Sequence, residues 1–108
     1  MNNWLKFLLP VVSAMRMRLA LVRDVAWVRR MNRILSTCYP YSSMPLANWV
    51  RDFFAQYGNY VDVEYRCDPE LCIIIVEDAW GRSIREDAVK MLEKLLGEVY
   101  ESGDAGCG

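Results

Sequence analysis

The sequence contains no histidine, only six glycines and four prolines, and no long uninterrupted apolar run. Without histidine the chain lacks the commonest general base, the commonest metal ligand and the side chain that changes charge near neutral pH. The longest mainly apolar run, Phe7 to Met15, covers nine residues, about half of the ~18–20 that a membrane-spanning helix needs. The formal net charge of −1 provides no overall attraction to nucleic acid or to an anionic membrane.

Motifs that carry chemistry are equally scarce. The sequence shows no nucleophile–base constellation, no glycine-rich nucleotide loop and no closely paired cysteines of the kind that bind zinc. We therefore expect no enzymatic activity, no cofactor, no metal site and no small-molecule substrate.

What the sequence does contain is typical of one folded domain. A chain of 108 residues with 54% hydrophobic and 25% charged residues can form one core and is too short for two ordinary domains. We predict a single α+β domain over residues 1–102 with the element order α-α-β-β-α, and a flexible tail over residues 103–108.

Charge is unevenly divided along the chain. Residues 1–37 carry seven basic side chains and one acidic one, a net charge of +6, whereas the remaining 71 residues have a net charge of −7. We predict a basic helical segment over about residues 1–36, with its main helix from about residue 11 to residue 35. This pattern fits nucleic acid, a lipid surface, or attraction between the two halves of the chain. The predicted basic face, an arc of about 100° on this helix, consists of Arg16, Arg23, Arg30 and Arg33.

Two further helices are predicted from the apolar spacing. The first runs from about residue 45 to residue 57 with Ser43 as its N-cap, and the second begins at Ser83, which forms an S-x-x-E capping box with Glu86. Asp24 lies on the apolar side of the basic helix in this arrangement, so we expect it to have an arginine or backbone partner. The residues expected in the core are Trp49, Phe53, Val63, Ile74, Leu92 and Leu95.

The strongest β signal lies between these two helices. Residues 61–67 alternate apolar and charged side chains, residues 68–71 have the composition of a turn, and residues 72–76 form a second strand. A four-residue turn sets the register of this antiparallel hairpin. One face pairs Cys67 with Cys72, Tyr65 with Ile74 and Val63 with Val76, and the other pairs Arg66 with Ile73 and Glu64 with Ile75.

Ile73 and Ile75 thus fall among charged side chains, on the face that the first strand exposes to water. Burying both would contribute roughly 3–6 kcal/mol, at about 1.5–3 kcal/mol for each large aliphatic side chain, and leaving them on an edge strand favours aggregation. Either the first helix covers this face or another chain does, and a homodimer sharing a four-stranded sheet would also solve the problem.

The favoured function is therefore a small regulatory, adaptor or inhibitor protein that binds another protein or itself. The predicted interface residues are Ile73, Ile75, Arg66 and Glu64, together with the basic N-terminal helix. One alternative is a nucleic-acid-binding protein that uses the arginine face, and a second is a peripheral membrane protein attached through residues 3–22.

Four cysteines leave the redox state open. Cys67 and Cys72 are opposed in the hairpin and could form a cross-strand disulfide. The first residues have the charge-then-apolar order of a signal peptide but no clear cleavage site, so we expect a cytoplasmic protein with reduced thiols. The acid-free composition of residues 1–23 is also that of an organellar transit peptide.

Overall fold

Residues 18–107 are described by a computed structural model of the chain. They form three helices and one three-stranded antiparallel sheet, which confirms the α+β class. The elements in chain order are β1 (Arg18–Asp24), α1 (Val25–Leu35), α2 (Pro45–Ala55), β2 (Val61–Cys67), β3 (Leu71–Asp78) and α3 (Glu86–Ser102). The order among these residues is β-α-α-β-β-α, so the predicted order is wrong in its first element.

Strand β1 occupies residues that the periodicity assigned to the long basic helix. Leu19 and Leu21 are buried and their neighbours face the other way, the period-2 alternation of a half-buried strand. Because β1 pairs along the edge of β3 that the hairpin leaves open, it satisfies backbone groups that a helix could not reach. The helical prediction is correct from Val25 to Leu35, while residues 11–17 lie outside the described part of the chain.

The change from strand to helix takes place at Asp24. Its backbone is extended, and its carboxylate oxygen Oδ1 accepts a hydrogen bond from the Trp27 N–H at 2.7 Å, which satisfies one of the free donors in the first turn. The expected backbone partner is therefore present. Asp24 is, however, the exposed N-cap of α1 and does not project from an apolar helix face.

Hairpin β2–β3 has the predicted register throughout, from Cys67 opposite Cys72 to Val63 opposite Val76. Its second strand is not an edge strand, since the sheet order is β1-β3-β2. The aggregation-prone edge expected for residues 72–76 does not exist in the fold, and no second copy can join the sheet at β3. The free edges of this sheet belong to β1 and β2.

The predicted helix starts are less accurate than the helices themselves. Helix α3 begins at Glu86 with Arg85 as N-cap and no side-chain capping bond from Arg85, so Ser83 is not the N-cap of this helix. The Ser83 carbonyl instead accepts a hydrogen bond from the Asn59 side-chain amide at 2.9 Å. Helix α2 begins at Pro45, as predicted, but its N-cap is Met44 rather than Ser43.

The helices cover one face of the sheet, and the core lies between the two layers. Of the expected core residues, Phe53, Ile74 and Leu92 are buried, and Trp49, Val63 and Leu95 pack against the core while partly exposed. The largest fully buried side chains are Phe54, Leu19, Leu21, Met31, Leu35, Leu46, Ile74, Leu92, Val50, Val76 and Cys72.

All four cysteines are paired, so the expectation of reduced thiols is wrong. Cys67–Cys72 is the cross-strand disulfide that the hairpin register allows, and Cys38–Cys107 links positions 69 residues apart. Gly103 adopts a left-handed conformation with φ of 72° and ends α3. The residues after it, which the sequence predicts as a flexible tail, are thereby bonded to the segment that follows α1.

Candidate interaction surface

The side of the sheet that faces away from the helices is called the outer face. Its centre is an apolar strip formed by alternate residues of β1 and β3, namely Ala20, Val22, Ile73 and Ile75. Its rim consists of Arg18, Asp24, Asp62, Glu64, Arg66, Leu71 and Glu77. All four predicted interface residues therefore lie on this one face.

The register places these side chains in rows across the three strands. Val22, Ile73 and Arg66 form one row, and the next row contains Ala20, Ile75 and Glu64. Sequence reasoning missed Ala20 and Val22 because it placed them on a helix. Their signal was the interleaving of small and aliphatic residues with arginines, which suits a strand as well as a helix.

The apolar strip is not part of the core. Ile73 retains 40% exposure, the other three strip residues are partly exposed, and none of the four packs against the core cluster. No element in residues 18–107 forms a second layer over this face. A contiguous aliphatic strip at the centre of a sheet face, bordered by charged side chains, is the usual appearance of an interaction site.

The rim of the outer face is charged and mostly acidic. Arg18 pairs with Glu77 at 3.4 Å and Arg66 pairs with Glu64 at 3.2 Å, with all four side chains well exposed to solvent. Pairs of this kind contribute about 0–1 kcal/mol each to stability. Asp24 and Asp62 add two further carboxylates, so the formal charge of the rim is −2.

The predicted basic face is not a continuous surface. Arg16 lies outside the described residues, Arg23 is on β1, and only Arg30 and Arg33 are on α1. A helical arc through all four arginines cannot form, because residues 18–24 are extended. Arg33 is exposed.

Two of these arginines instead link β1 and α1 to α3. The Arg23 guanidinium donates to the Glu93 carboxylate at 2.5 Å and lies 5.2 Å from the centre of the Trp27 ring. Arg30 donates to the Tyr100 carbonyl at 2.7 Å and lies 4.8 Å from the centre of its ring. These contacts join the basic half of the chain to the acidic half, as one of the three interpretations of the charge split expected.

The turn after β3 is built around a buried carboxylate. Asp78 is 3% exposed; its oxygen Oδ2 accepts from the backbone N–H groups of Trp80 at 3.0 Å and Arg82 at 2.9 Å, and Oδ1 accepts from the Asn59 amide at 3.1 Å. Burial by itself would raise the pKa of the Asp78 carboxyl, but these hydrogen bonds and the nearby Arg82 charge outweigh it and hold the pKa below 3.8. Asp78 is therefore a structural anion rather than part of an acidic surface.

This turn presents an aromatic side chain to solvent. Trp80 is 72% exposed, its ring lies 5.9 Å from that of Tyr60, and the Arg82 guanidinium stacks 5.0 Å from its centre. Gly81, in the left-handed region with φ of 74°, allows the tight bend. The turn lies at the end of the sheet where β2 begins and β3 ends.

The hydroxyl group of Tyr65 is also buried, and no neighbouring group in the described part of the chain lowers its pKa enough for deprotonation at neutral pH. Burial raises the pKa of the Tyr65 hydroxyl well above its usual range, and the Arg51 charge lowers it only slightly. Tyr65 therefore stays protonated at neutral pH. Within residues 18–107 no group of three or more potential metal-ligating side chains is close enough together to hold an ion.

Comparisons of this chain with protein-family models, with curated proteins and with solved structures each found no match. In the described part of the chain, none of the helices has the length and apolar character needed to cross a membrane.

Proposed function

We propose that this protein is a small binding module, acting as an adaptor, regulator or inhibitor, whose outer face docks an amphipathic helix of another protein. The observation that carries the proposal is the exposed apolar strip. Ile73, on the central strand, keeps 40% of its surface accessible, whereas the other face of β1 and β3 carries the buried side chains of Leu19, Leu21, Cys72, Ile74 and Val76. Covering such a strip is favourable because it removes aliphatic surface from water.

The chemistry of the outer face specifies what kind of helix would bind. The aliphatic centre calls for a stripe of apolar side chains at helical spacing. The rim has a formal charge of −2, with Glu64 and Asp62 on β2 and Glu77 on β3. Lysine or arginine side chains flanking the apolar stripe would therefore be attracted, whereas an acidic helix would be repelled.

The scaffold behind the outer face is suited to rigid presentation. The strand that carries Ile73 and Ile75 is hydrogen-bonded on both sides, and the Cys67–Cys72 disulfide closes the hairpin at one end. A surface that is already ordered before binding loses little conformational entropy when it binds.

The other interpretations remain predictions. A homodimer would use the same outer face, because β3 is the central strand and has no free edge that could pair with a second copy. The nucleic-acid alternative has lost the helical face on which it was based. The membrane alternative is based on residues 3–22, of which residues 3–17 lie outside the described residues and residues 18–22 belong to β1. A cytoplasmic location also remains a prediction, and the pairing of all four cysteines favours an oxidising compartment instead.

A pair of matched variants tests the proposed function. Ile73→Lys places a charge in the apolar strip, and Met91→Lys makes the same change on α3, where Met91 has a similar exposure of 38%. Proteins crosslinked to the wild-type chain would be identified by mass spectrometry, and the purified partner would then be titrated by calorimetry against all three chains. We expect Ile73→Lys to weaken binding at least tenfold and Met91→Lys to leave it unchanged.

Two outcomes would argue against this function. A partner that binds Ile73→Lys as tightly as wild type does not use the outer face. If light scattering shows that the wild-type chain is a dimer and the Ile73→Lys chain is a monomer, the occupant of the outer face is a second copy of this chain and not a foreign helix. Far-ultraviolet circular dichroism would verify that both variants are folded.

A further inference from the structure

We propose that a groove on the helical side of the molecule binds a small hydrophobic organic cation, an ammonium group attached to a short apolar body. The groove lies between α2, α3 and the segment that follows α3. Because the helices lie on the opposite side of the sheet from the outer face, binding in this groove is separate from the docking of a partner helix.

The groove has the dimensions of a small-molecule site. Its volume is about 560 Å³, within the range of about 300–1,000 Å³ that is usual for ligand pockets. Helix α2 contributes Trp49, and the C-terminal part of α3 contributes Leu95 and Val99. Residues 104–106 form the third wall. A ligand in the groove therefore contacts three separate segments of the chain.

The third wall is held in place before any ligand binds. The Cys38–Cys107 disulfide fixes its far end to the segment after α1. Ser102 Oγ accepts a hydrogen bond from the Asp104 N–H at 3.1 Å, and Ala105 packs against the core. A site that is ordered in advance loses little conformational entropy when a ligand binds.

Much of the lining is apolar, and it includes an aromatic ring. Its apolar members are partly exposed and pack against the core; they are Trp49, Leu95, Val99 and Ala105. The Trp49 ring stacks on that of Phe53, with 5.7 Å between the ring centres and 14° between the ring planes, which fixes its orientation. Tryptophan is the side chain whose π electrons attract a cation most strongly, so this ring can hold an ammonium group as well as an apolar body.

The charge of the lining is negative. Glu98 and Asp104 line the groove, and in the described part of the chain no basic side chain does so; Arg30 and Arg33 line a separate groove. The Gly106 N–H donates to Oδ1 of Asp104 at 2.8 Å, which positions this carboxylate. Glu98 is exposed, and among the described residues its carboxylate has no hydrogen-bond or ion-pair partner. Two carboxylates without a neighbouring base attract a cation and repel an anion.

The apolar lining and the two carboxylates together select among ligands. A neutral apolar molecule uses the lining alone, and an anion of the same shape is repelled by Glu98 and Asp104. A cation of the same shape gains from the carboxylates and from the Trp49 ring. We expect it to bind about fivefold to tenfold more tightly than the neutral analogue, the combined effect of exposed ion pairs and a cation–π contact.

Three probes that share one apolar body and differ in charge test this selection: phenylpropylammonium, phenylpropanol and phenylpropanoate. Each is titrated into the ¹⁵N-labelled full chain and followed by two-dimensional NMR, with the indole N–H signals assigned by single Trp→Phe substitutions. We expect phenylpropylammonium to shift the signals of Trp49, Ala105 and Gly106 until they saturate, and to leave the indole signals of Trp27 and Trp80 in place. Phenylpropanol should shift the same signals only at higher concentration, and phenylpropanoate should not shift them.

Glu98→Gln tests the role of charge, with Glu101→Gln as the matched control. Both glutamates are exposed on α3, but Glu101 does not line the groove. We expect Glu98→Gln to bind phenylpropylammonium about threefold to fivefold less tightly, as for the loss of one exposed ion pair, and to bind phenylpropanol as wild type does. Glu101→Gln should bind both probes as wild type does.

The proposal is wrong if the three probes bind equally, if the shifts occur at Trp80 and not at Trp49, or if Glu98→Gln has no effect. Ile73→Lys changes only the outer face, and we expect it to bind phenylpropylammonium as tightly as wild type. Loss of probe binding in Ile73→Lys would place the ligand on the outer face and overturn its assignment to the groove.

Discussion

Replacing Asp78 by asparagine should destabilise the protein far more than a one-atom change on a turn suggests. Asparagine preserves the shape of the side chain but supplies one acceptor oxygen in place of two, and it carries no charge. If its oxygen still accepts from Trp80 and Arg82, its amide faces the amide donor of Asn59. If the side-chain amide is flipped, its NH₂ group faces the two backbone N–H groups of Trp80 and Arg82 instead, so donor faces donor.

The expected loss follows from this count of hydrogen bonds. At least one hydrogen bond to a buried carboxylate disappears, worth about 1.5–3 kcal/mol, and the rest lose the assistance of the charge. We therefore expect the free energy of unfolding at pH 7 to fall by about 2–4 kcal/mol, a large part of the roughly 5–15 kcal/mol that stabilises a typical domain. For a chain of this length that corresponds to a melting temperature lower by roughly 8–16 °C.

Urea unfolding followed by circular dichroism measures the effect, with Asp87→Asn as the matched control. Asp87 is an exposed carboxylate paired with Arg85 at 2.6 Å, and we expect its replacement to leave the urea midpoint unchanged within error, as is usual for surface pairs. The m-value should be the same in all three chains, since the surface exposed on unfolding does not change.

The pH dependence provides a second test. The pKa of the Asp78 carboxyl is lower in the folded protein than its ordinary value of 3.8. Its contribution to stability is therefore complete above that value and is lost as the pH falls through the folded-state pKa. The difference between wild type and Asp78→Asn should be largest at neutral pH and shrink below about pH 3.8. A loss below about 0.5 kcal/mol at pH 7 would refute the idea that this carboxylate organises the turn.

Two further changes probe the core and the crosslinks, again by urea unfolding. Leu92→Ala empties a fully buried site and should cost about 2–5 kcal/mol; a smaller loss would mean that the two layers close around the cavity. Replacing both members of Cys38–Cys107 by serine should cost about 4 kcal/mol, against about 2 kcal/mol for Cys67–Cys72, because the closed loops differ in length (sequence separations of 69 and 5). The reverse order would contradict the loop-entropy account.

Features that depend on neighbours in the chain were predictable. The hairpin register follows from a four-residue turn and a period of two, and the observed pairs of Cys67 with Cys72 and Val63 with Val76 confirm it. Helix α2 follows from its apolar spacing and begins at the expected proline. The conflict between Ile73 and the charged face of β2 was also visible in advance, and it led to the face that remains uncovered.

Residues 18–24 show why the first element was missed. Their pattern of aliphatic residues between arginines is compatible with a helix apolar on two stripes and with a strand buried on one face. Local propensity does not separate these states, whereas the unpaired edge of β3 does, because strand pairing satisfies donors and acceptors on both sides. The two missing members of the candidate site, Ala20 and Val22, were lost with this element.

The predictions for Ser83 and for Cys107 failed for related reasons. Ser83 has the right spacing to Glu86, but its carbonyl bonds to Asn59 in a turn that Asp78 organises. Cys107 pairs with a cysteine 69 residues earlier, a distance over which periodicity and spacing carry no information.

Taken alone, the amino-acid order determined the α+β class, the hairpin and its register, the two later helices and the surplus of aliphatic surface, since each of these depends on interactions between residues close together along the chain. Only the tertiary structure decided that residues 18–24 form a strand, that Arg23 and Arg30 contact α3, and that β3 is central. Those outcomes depend on contacts between distant segments, whose free energies compete with local preference and, here, exceed it.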